Sequence, residues 1–484
     1  MHRITSATVA HLFDIAATRR IEQAAAAALP AHALMQRAGL AVARLAMAIA
    51  PHARTIWIAC GPGNNGGDGF EAAAQLQRRG FRPVVTFAGD EDRLPPDARA
   101  SLQRAREASV IFAGNPPADY QLAIDALLGI GSTRPPEGAM AEWLHAMDAS
   151  GQPVLSVDVP SGLNADTGVL SGSIGAHADT ARICLTFLTL KPGLFTAHGR
   201  DAAGIVWFDD LGCSGTAEPP VARLLGAAAS TPRSHASHKG SHGDVAVIGG
   251  APGMAGAALL AGSAALHAGA GRVFVGLLDP GAAAVDLSQP ELMLRHADAL
   301  DLSGMAAVCG CGGGAQVRMA LPRVLATAAA LVLDADALNA IAADPGLQAQ
   351  LASRSRRAKP TVITPHPLEA ARLLNCTVAD IQADRLATAR ELAARYGVVA
   401  VLKGSGTVIA DDRGAPVLNL TGNARLATAG TGDVLAGMIG AALAMQKPVF
   451  EAAREAVWRH GRLADTWPAN ASPLTAGALA RQAP

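Results

Sequence analysis

The sequence predicts an α/β protein with two domains, each a parallel sheet that helices cover on both faces. Three observations lead to this prediction. The chain has 484 residues, which is more than one hydrophobic core ordinarily serves. Short apolar runs alternate with charged, alanine-rich stretches along two long segments. Between these segments, from about Gly212 to His242, the alternation breaks in a polar stretch rich in turn-forming residues.

The first segment, residues 1–222, is predicted to form a Rossmann-like three-layer domain. It begins with an alanine-rich helical stretch from about Thr8 to Ala50, interrupted near Pro30. Helices are expected from about Phe70 to Arg79 and from Pro96 to Ala108. Strands that are apolar on both faces and joined by helices belong to a parallel sheet. The predicted strands are Thr55–Cys60, Pro83–Phe87, Ala123–Leu128, Val154–Asp158 and Ala181–Phe187.

The second segment, residues 223–484, repeats the alternation and is predicted to form the other α/β domain. The weakly apolar stretch Ala251–Gly271 approaches the length of a membrane span, but its Gly, Ala and Ser content and His267 favour a packed helix followed by a turn. The predicted strands are Asp244–Gly249, Arg272–Gly276, Ala330–Asp334, Thr361–Thr364 and Val398–Lys403.

Composition narrows the classes of function. Lys plus Arg and Asp plus Glu number 40 each, so no overall charge recruits nucleic acid or an anionic membrane. Six sparse cysteines predict free thiols in a reducing compartment, and Asp14 and Arg19 interrupt any signal-peptide core. We therefore expect a cytoplasmic protein with small-molecule substrates that forms homo-oligomers. The histidines at 235, 238 and 242 have a spacing that could hold a metal, or they are solvated side chains of the connector.

The run Gly430-Thr431-Gly432-Asp433 precedes a predicted apolar helix, Val434–Met445. Glycines before a helix leave backbone N–H groups free to converge on an anion, and the helix N-terminus adds its positive end. An Asp in this first turn can accept a proton from a substrate hydroxyl, or it can simply cap the helix.

Three further polar clusters follow predicted strands of the same domain. They are Lys403–Thr407, Asp334–Asn339 and Thr364–Glu369. Open α/β sheets bind ligands at the carboxyl ends of their strands, so these clusters indicate a site around Asp433.

These motifs, with His238-Lys239-Gly240, resemble the ADP/ATP-dependent NAD(P)H-hydrate dehydratase family, a branch of the ribokinase-like fold, over about residues 230–480. The family's usual Gly-Pro-Gly-x-Gly stands here as Gly310-Cys311-Gly312-Gly313-Gly314. The resemblance implies that Asp433 is the catalytic base beside the hydrated nicotinamide, with Ala257, Gly314 and His366 lining its pocket. The residues implied to contact the nucleotide are Lys403, Gly404, Ser405, Gly406, Thr407 and Gly432.

The chemistry that the resemblance implies fits these residues. Asp433 would activate the C6 hydroxyl of hydrated NAD(P)H to attack the terminal phosphate of ADP or ATP, and phosphate would then leave with help from the ring nitrogen. Mg²⁺ on the nucleotide phosphates is expected, and ADP is favoured over ATP. A small-molecule kinase is the rival interpretation, because the same Asp and anion turn serve both reactions.

The N-terminal domain has its own candidate site. The run Gly61–Gly69 follows the first predicted strand as a glycine-rich turn before a helix, and its paired asparagines and Asp68 exceed what a plain turn needs. Asp125–Arg134 and Asp158–Asn164 follow two later strands. Lys191-Pro192-Gly193 either contacts ligand or forms a turn, and the sequence does not separate these alternatives.

These segments resemble the NAD(P)H-hydrate epimerase family over about residues 5–215, most specifically in Asn64-Asn65-Gly66-Gly67-Asp68-Gly69. The resemblance implies K⁺ held by Asn65, Asp125 and Ser161, whose oxygen ligands suit a hard cation. Asp158 is the candidate catalytic acid–base. The rival interpretation is a non-catalytic module that senses a nucleotide. The implied substrate contacts are Asn64, Asn65, Gly66, Gly67, Asp68, Gly129, Ile130, Gly131, Ser132, Thr133, Arg134, Pro135 and Asp158.

Overall fold

The computed structural model describes residues 1–131, 134–171, 180–213, 215, 217–228, 234–282 and 284–483. Its contacts divide the chain into two compact units. The first unit comprises Met1–Thr5 and Ala10–Ala222, and the second comprises Ser6–Val9 and Arg223–Pro484.

The first unit contains a mixed sheet with helices packed on it. Its strands are β1 (His2–Arg3), β2 (His11–Leu12), β3 (Thr55–Cys60), β4 (Arg82–Phe87), β5 (Ile111–Phe112), β6 (Leu122–Ala126), β7 (Val154–Val157), β8 (Arg182–Phe187) and β9 (Ile205–Asp209). Its helices are α1 (Ile15–Ala27), α2 (Ala33–Ile49), α3 (Asn64–Gln77), α4 (Pro96–Glu107), α5 (Ala139–Ala149) and α6 (Gly199–Ala203). The sheet itself has eight strands and does not include β2; their order is β1-β9-β8-β7-β6-β3-β4-β5, and all neighbours are parallel except the β1–β9 pair.

The central strands of this sheet are buried on both faces, as their continuous apolar sequences predict. Ile56 and Ile58 point into a core with α2 and α3, whereas Trp57 and Ala59 pack in a second core with α5. Side chains alternate between the faces of a strand, so an unbroken apolar run needs cover on both sides. The predicted three-layer α/β domain is confirmed.

One predicted boundary in this unit is wrong. Helix α3 begins at Asn64 rather than near Phe70, so the asparagines and glycines form its first two turns instead of a turn before it. A glycine inside a helix lowers its stability by about 1 kcal/mol relative to alanine, so a glycine-rich run does not predict a helix. Tight packing explains the glycines: an ideal Cβ on Gly66 would lie 2.0 Å from the Gly61 carbonyl oxygen, and one on Gly67 would lie 2.8 Å from Ala98 Cα.

The second unit contains a larger sheet. Its strands are β10 (Ala222–Leu225), β11 (Asp244–Gly249), β12 (Arg272–Leu277), β13 (Met293–His296), β14 (Ala306–Cys309), β15 (Ala330–Leu333), β16 (Thr361–Ile363), β17 (Val399–Leu402), β18 (Val408–Ala410) and β19 (Val417–Asn419). Its helices are α7 (Ala255–His267), α8 (Val317–Thr327), α9 (Asp336–Ala342), α10 (Pro345–Arg356), α11 (Pro367–Leu374), α12 (Val378–Ala383), α13 (Arg385–Tyr396), α14 (Thr431–Ala444), α15 (Val449–Asp465) and α16 (Ala476–Arg481).

The strand order in the second unit is β13-β12-β11-β14-β15-β16-β17-β18-β19-β10. The strands from β13 to β17 are mutually parallel, as predicted, but β18 runs antiparallel to both β17 and β19. The stretch from about Gly212 to His242, which we interpreted as a linker or domain edge, contains β10, which pairs with β19 through Arg223 and Val417. Strands of three or four residues are too short to show a periodic pattern, so the sequence did not reveal them.

Helices α7 and α14 pack against each other beside the sheet because both are small-residue helices. An ideal Cβ on Gly437 would lie 2.1 Å from the Ala261 carbonyl oxygen, so the two backbones approach closely. The stretch Ala251–Gly271 therefore forms a packed helix and a turn, as predicted. In the described part of the chain no helix is both long and apolar enough to cross a membrane. The six cysteines are free thiols, of which Cys60, Cys184, Cys309 and Cys311 are buried.

Candidate active sites

The site in the first unit lies at the carboxyl edge of its parallel strands. The residues that follow β3, β6, β7 and β8 meet there, because parallel strands all end at the same edge. They surround a cavity of about 520 Å³, together with residues of α1 and α2. This volume is within the range of ordinary small-molecule sites.

The structure brings part of the predicted set to this cavity. Asn64, Asn65, Asp68, Asp158 and the segment 129–131 line it. Gly66 and Gly67 are buried beneath it in α3, where they allow close packing. Arg134 and Pro135 are exposed and lie outside the residues that line it. Ser132 and Thr133 fall outside the described residues.

Asp158 follows β7 in a left-handed backbone conformation, with φ of 65°, which is uncommon for a residue other than glycine. Its Oδ1 accepts hydrogen bonds from Lys191 Nζ at 2.6 Å and from the Phe187 backbone N–H at 3.2 Å. Lys191 also donates to Thr186 Oγ1 at 2.9 Å and to the Phe187 carbonyl oxygen at 2.8 Å. Lys191 therefore forms part of the cavity wall and also precedes the 3-10 turn Pro192–Phe195, so contact of this segment with ligand stays a prediction.

Several charged residues of this cavity were not predicted from the sequence. Arg19 and Glu22 on α1 and Asp97 on α4 line it alongside Asp68. Burial, followed by the charge of Asp158, raises the pKa of both Glu22 and Asp68, that of Asp68 well above its usual value. No local pattern marks Glu22, because more than a hundred residues separate it from Asp158 and only the fold brings them together.

Behind the cavity, Asp125 and Ser161 are in direct contact. The Asp125 carboxylate accepts from Ser161 Oγ at 2.5 Å and from the Ser161 backbone N–H at 2.9 Å. Ser161 Oγ in turn accepts from the Leu128 backbone N–H at 2.8 Å. Burial raises the pKa of Asp125, and the bonds from Ser161 oppose that rise. Asn65 lies against Gly129, and among the described residues its buried Nδ2 has no hydrogen-bond partner.

The site in the second unit occupies the equivalent edge of the other sheet. Asp334 follows β15, Thr364 follows β16 and Lys403 follows β17. Asp334 Oδ1 accepts from Lys403 Nζ at 2.6 Å and from Thr364 Oγ1 at 2.8 Å. The three clusters that the sequence placed at strand ends are therefore joined by direct hydrogen bonds.

Asp433 lies in the first turn of α14, whose N-cap, Gly430, has a φ of 89° that only glycine adopts readily. No side chain caps this helix, so Asp433 is not its cap. Burial, followed by the charge of Asp334, raises the pKa of Asp433 to about 6. A half-buried carboxyl with this pKa can serve as a proton acceptor near neutral pH. An ideal Cβ on Gly432 would lie 3.3 Å from Lys403 Nζ, so this glycine keeps the lysine accessible.

Glu369 and His366 extend this network on α11. Glu369 Oε1 lies 3.2 Å from His366 Nε2, and its Oε2 lies 3.9 Å from Lys403 Nζ. His366 Nδ1 accepts from the Leu368 and Glu369 backbone N–H groups as the helix cap. Burial raises the pKa of Glu369 to about 7 and lowers that of His366.

The remaining predicted residues of the second unit lie in loops and a helix near the carboxyl edge of its sheet. Gly314 donates its backbone N–H to Asp336 Oδ2 at 2.8 Å, and an ideal Cβ on Gly312 would lie 2.9 Å from that of Ala257. The loop predicted to contact the nucleotide, Lys403–Thr407, is exposed at Gly404 and Ser405, while Gly406 is buried and Thr407 is half-buried. Fully buried Arg385, which the sequence did not indicate, supports this loop by donating to the Leu402 and Lys403 carbonyl oxygens.

Among the described residues, one group has metal-ligand atoms close together: Cys311, Asp334 and Asp433, within 4.8 Å of one another. The arrangement does not suit Mg²⁺, because a thiol is a soft ligand and the Lys403 ammonium already occupies Asp334. The connector histidines at 235, 238 and 242 do not belong to this group.

Comparison with known proteins covers both units. Residues 245–484 match the family model described as NAD(P)H-hydrate dehydratase, and residues 31–193 match the model described as YjeF-related protein N-terminus. A protein of Escherichia coli (strain K12) named bifunctional NAD(P)H-hydrate repair enzyme Nnr is 39% identical over 476 residues, which cover 95% of this chain and 89% of that protein.

Two further relatives match the second half. A Neisseria meningitidis protein named ADP-dependent (S)-NAD(P)H-hydrate dehydratase is 45% identical over 255 residues, covering 51% of this chain and 84% of that protein. The crystal structure of an ADP/ATP-dependent NAD(P)H-hydrate dehydratase from Bacillus subtilis, co-crystallized with ATP/Mg²⁺, is 34% identical. It aligns with a TM-score of 0.43 over 51% of this chain and 90% of that chain.

Proposed function

The chain belongs to the family of bifunctional NAD(P)H-hydrate repair enzymes, and from this premise we propose which side chains carry its two reactions. The enzyme epimerises the R and S forms of hydrated NAD(P)H at C6 and dehydrates the S form at the expense of ADP. We assign epimerisation to residues 1–222 and dehydration to residues 223–484, with a site in each unit.

We propose that Asp433 is the general base of dehydration. Its carboxylate accepts the proton of the C6 hydroxyl, whose oxygen then bonds to the terminal phosphorus of ADP while the bond to the AMP oxygen breaks. The C6–O bond next breaks, phosphate leaves with the bonding electrons, and the ring nitrogen stabilises the cation that forms. Loss of a proton from C5 restores NAD(P)H. The observation that carries this role is the Asp433 carboxyl at a helix N-terminus beside Lys403, with its pKa raised to about 6.

The nucleotide contacts are Lys403–Thr407 and Gly432. Lys403 is held by Asp334 at 2.6 Å with its ammonium facing Gly432, a position from which it can neutralise phosphate charge. Mg²⁺ bound with the nucleotide would offset the negative charge of its phosphates, and we assign it no protein ligands. Ala257, Gly314 and His366 are proposed to line the pocket of the hydrated nicotinamide.

The decisive test is Asp433→Asn, which keeps the shape of the side chain and removes the base. We expect turnover of the S form with ADP to fall by on the order of 10²- to 10⁴-fold while nucleotide binding persists. The assay follows recovery of reduced-nicotinamide absorbance together with free phosphate. Near-normal turnover by this variant would contradict the role of Asp433. A phosphorylated product without NADH would instead favour a kinase.

In the first unit we propose that Asp158 is the acid–base of epimerisation and that the residues lining the cavity hold the substrate. The support is that Asp158 faces the cavity while Lys191 fixes its other side. With mixed epimers as substrate, Asp158→Ala is expected to consume the S half rapidly and then slow to the spontaneous rate of epimerisation. Fast consumption of both halves would make catalysis by Asp158 wrong and favour a binding module.

We further propose that K⁺ binds at Asn65, Asp125 and Ser161. A carboxylate, a hydroxyl and an amide supply oxygen donors of the kind that a hard cation prefers. The buried Nδ2 of Asn65 has no acceptor among the described residues, and a 180° turn of the amide would present its Oδ1 as a ligand in the same place. Self-association and a cytoplasmic location are also part of the proposal. The location is supported by the sparse, free cysteines.

A further inference from the structure

The glycine-rich loop after β14 contains Cys311 at the position where the dehydratase family usually has proline. The Cys311 side chain is fully buried, so its thiol faces protein groups rather than solvent. Its Sγ and the carboxylate oxygens of Asp334 and Asp433 all lie within 4.8 Å of one another. The backbone fixes this position, because the Cys311 carbonyl oxygen accepts from the Gly250 N–H at 3.0 Å.

The protonation of the thiol determines which of the two groups, Cys311 or Asp433, can donate a hydrogen bond to the other. Burial and then the negative charge of Asp433 raise the pKa of Cys311 well above its usual value, so the thiol keeps its proton at neutral pH. With its proton retained and a carboxylate oxygen of Asp433 within 4.8 Å, Sγ–H is the donor available to that carboxylate. A hydrogen bond from the thiol stabilises the ionised carboxylate and lowers the pKa of Asp433, in opposition to the burial that raises it.

We propose that Cys311 is a positioning residue for the dehydration step: its thiol donates to one oxygen of Asp433 and leaves the other free to accept the substrate proton. This inference rests on the role proposed for Asp433. Relatives with proline at this position lack this donor. The thiol therefore adjusts the pKa and the orientation of the Asp433 carboxylate, and the reaction does not depend on it.

The other titratable groups around Asp433 belong to segments other than the loop that carries the thiol. Asp334 after β15 and Asp336 on α9 raise its pKa, while Lys403 after β17 lowers it. His460 on α15 binds the Thr431 carbonyl oxygen through Nε2, and burial lowers its pKa to about 4, so it is uncharged at neutral pH. Substitution at Cys311 leaves all four groups in place, so a change in the titration of Asp433 is assignable to the lost hydrogen bond.

The test compares Cys311→Ala and Cys311→Ser with the unmodified full-length enzyme, using the S epimer and ADP at saturation. In the alanine variant we expect the acidic limb of the kcat–pH profile to move upward by roughly 0.5 to 1 pH unit, as the loss of one such bond implies. Activity should recover at higher pH. Serine keeps a donor and should restore most of the original profile.

A second measurement does not depend on turnover. Carbon-13 NMR of labelled aspartate carboxyls, with the Asp433 signal assigned by its loss in Asp433→Asn, should show the same upward shift in the alanine variant. Superimposable profiles, or equal slowing at every pH in both variants, would overturn the role of Cys311 and leave that of Asp433 standing. Near-normal turnover by Asp433→Asn would instead contradict the proposed base itself.

Discussion

Lys191 Nζ lies 2.6 Å from Asp158 Oδ1, and the lysine side chain is 1% exposed. The two residues come from the ends of neighbouring strands, β7 and β8, and they form one wall of the cavity in the first unit. An ion pair this buried restricts the carboxylate to one orientation. It also makes each partner expensive to remove, because the other is left as an uncompensated charge.

Lys191→Met is therefore expected to disable epimerisation without touching the second site. Loss of the ammonium frees the Asp158 carboxylate from its orientation, and a misplaced catalytic group costs on the order of 10²-fold in rate. The unfolding free energy of the first unit should fall by about 3 kcal/mol. The measurement is consumption of mixed epimers with ADP present. Dehydration of the pure S epimer by the same preparation is the control. For the mixed epimers we expect biphasic consumption, with a fast phase equal to that of the unmodified enzyme and a slow second phase.

The K⁺ proposal predicts an effect of Asn65→Ala on ion dependence. Removal of one ligand should raise the K⁺ concentration at half-maximal epimerisation by at least about tenfold, since even an outer partner of a metal site is commonly worth that much. Epimerase rates are measured across a K⁺ series at constant ionic strength, with a tetraalkylammonium salt as the balancing cation. An unchanged half-maximal concentration in this variant would exclude Asn65 as a ligand.

Gly432→Ala tests the nucleotide contact in the second unit. The new methyl group would lie 3.3 Å from Lys403 Nζ and 3.7 Å from Asp334 Oδ2, in the space proposed for phosphate. We expect the KM for ADP to rise on the order of tenfold, equivalent to about 1.4 kcal/mol. The fold should persist, because alanine favours a helix over glycine.

A matched control for this variant is Gly346→Ala. Gly346 is likewise the second residue of its helix, α10, but it is exposed and its N–H binds the capping side chain of Asp344. Its ADP kinetics should equal those of the unmodified enzyme. Equal KM values for all three proteins would place the phosphate elsewhere.

The raised pKa of Glu369 predicts that the free energy of unfolding of the second unit depends on pH. Its pKa rises from 4.5 to about 7 in the folded state, so between these values the folded protein binds more protons than the unfolded chain. Stability from this group is therefore present at low pH and is lost as pH rises through that window. Glu369→Gln should make the fall in stability of the second unit between pH 5 and pH 7 shallower, by on the order of 1 kcal/mol per pH unit.

Denaturant unfolding at several pH values measures this slope. Asp433 titrates in an overlapping range, from 3.8 to about 6, and contributes in both proteins. Glu391→Gln, at an exposed position of α13, serves as the control and should keep the slope of the unmodified chain. A slope for Glu369→Gln that equals this control would show that Glu369 does not carry the effect.

The sequence by itself determined the two α/β domains and the motifs at the ends of their strands. A strand that is apolar on both faces must be covered by helices on both sides of its sheet. Parallel strands all end at the same edge, so the residues that follow them lie there together. Asp158, Asp334, Lys403 and Asp433 could therefore be placed near the carboxyl edges of their sheets without coordinates. The glycines at the start of α3 were wrongly predicted to form a turn, because glycine has a low helix propensity. Their place in the helix depends on close packing against other backbone segments, which a local sequence pattern does not show.

Only the tertiary structure decided which of these groups touch and how they titrate. Lys191 donates a hydrogen bond to Asp158, and Cys311 Sγ lies within 4.8 Å of a carboxylate oxygen of Asp433. No local sequence pattern relates the members of either pair. Burial then sets the acidity of the Asp433 carboxyl, since the cost of a charge depends on how much water the fold leaves around it. The motifs and residue types can be read from the sequence. The distances between the site side chains, and the loss of water around them, exist only in the folded protein.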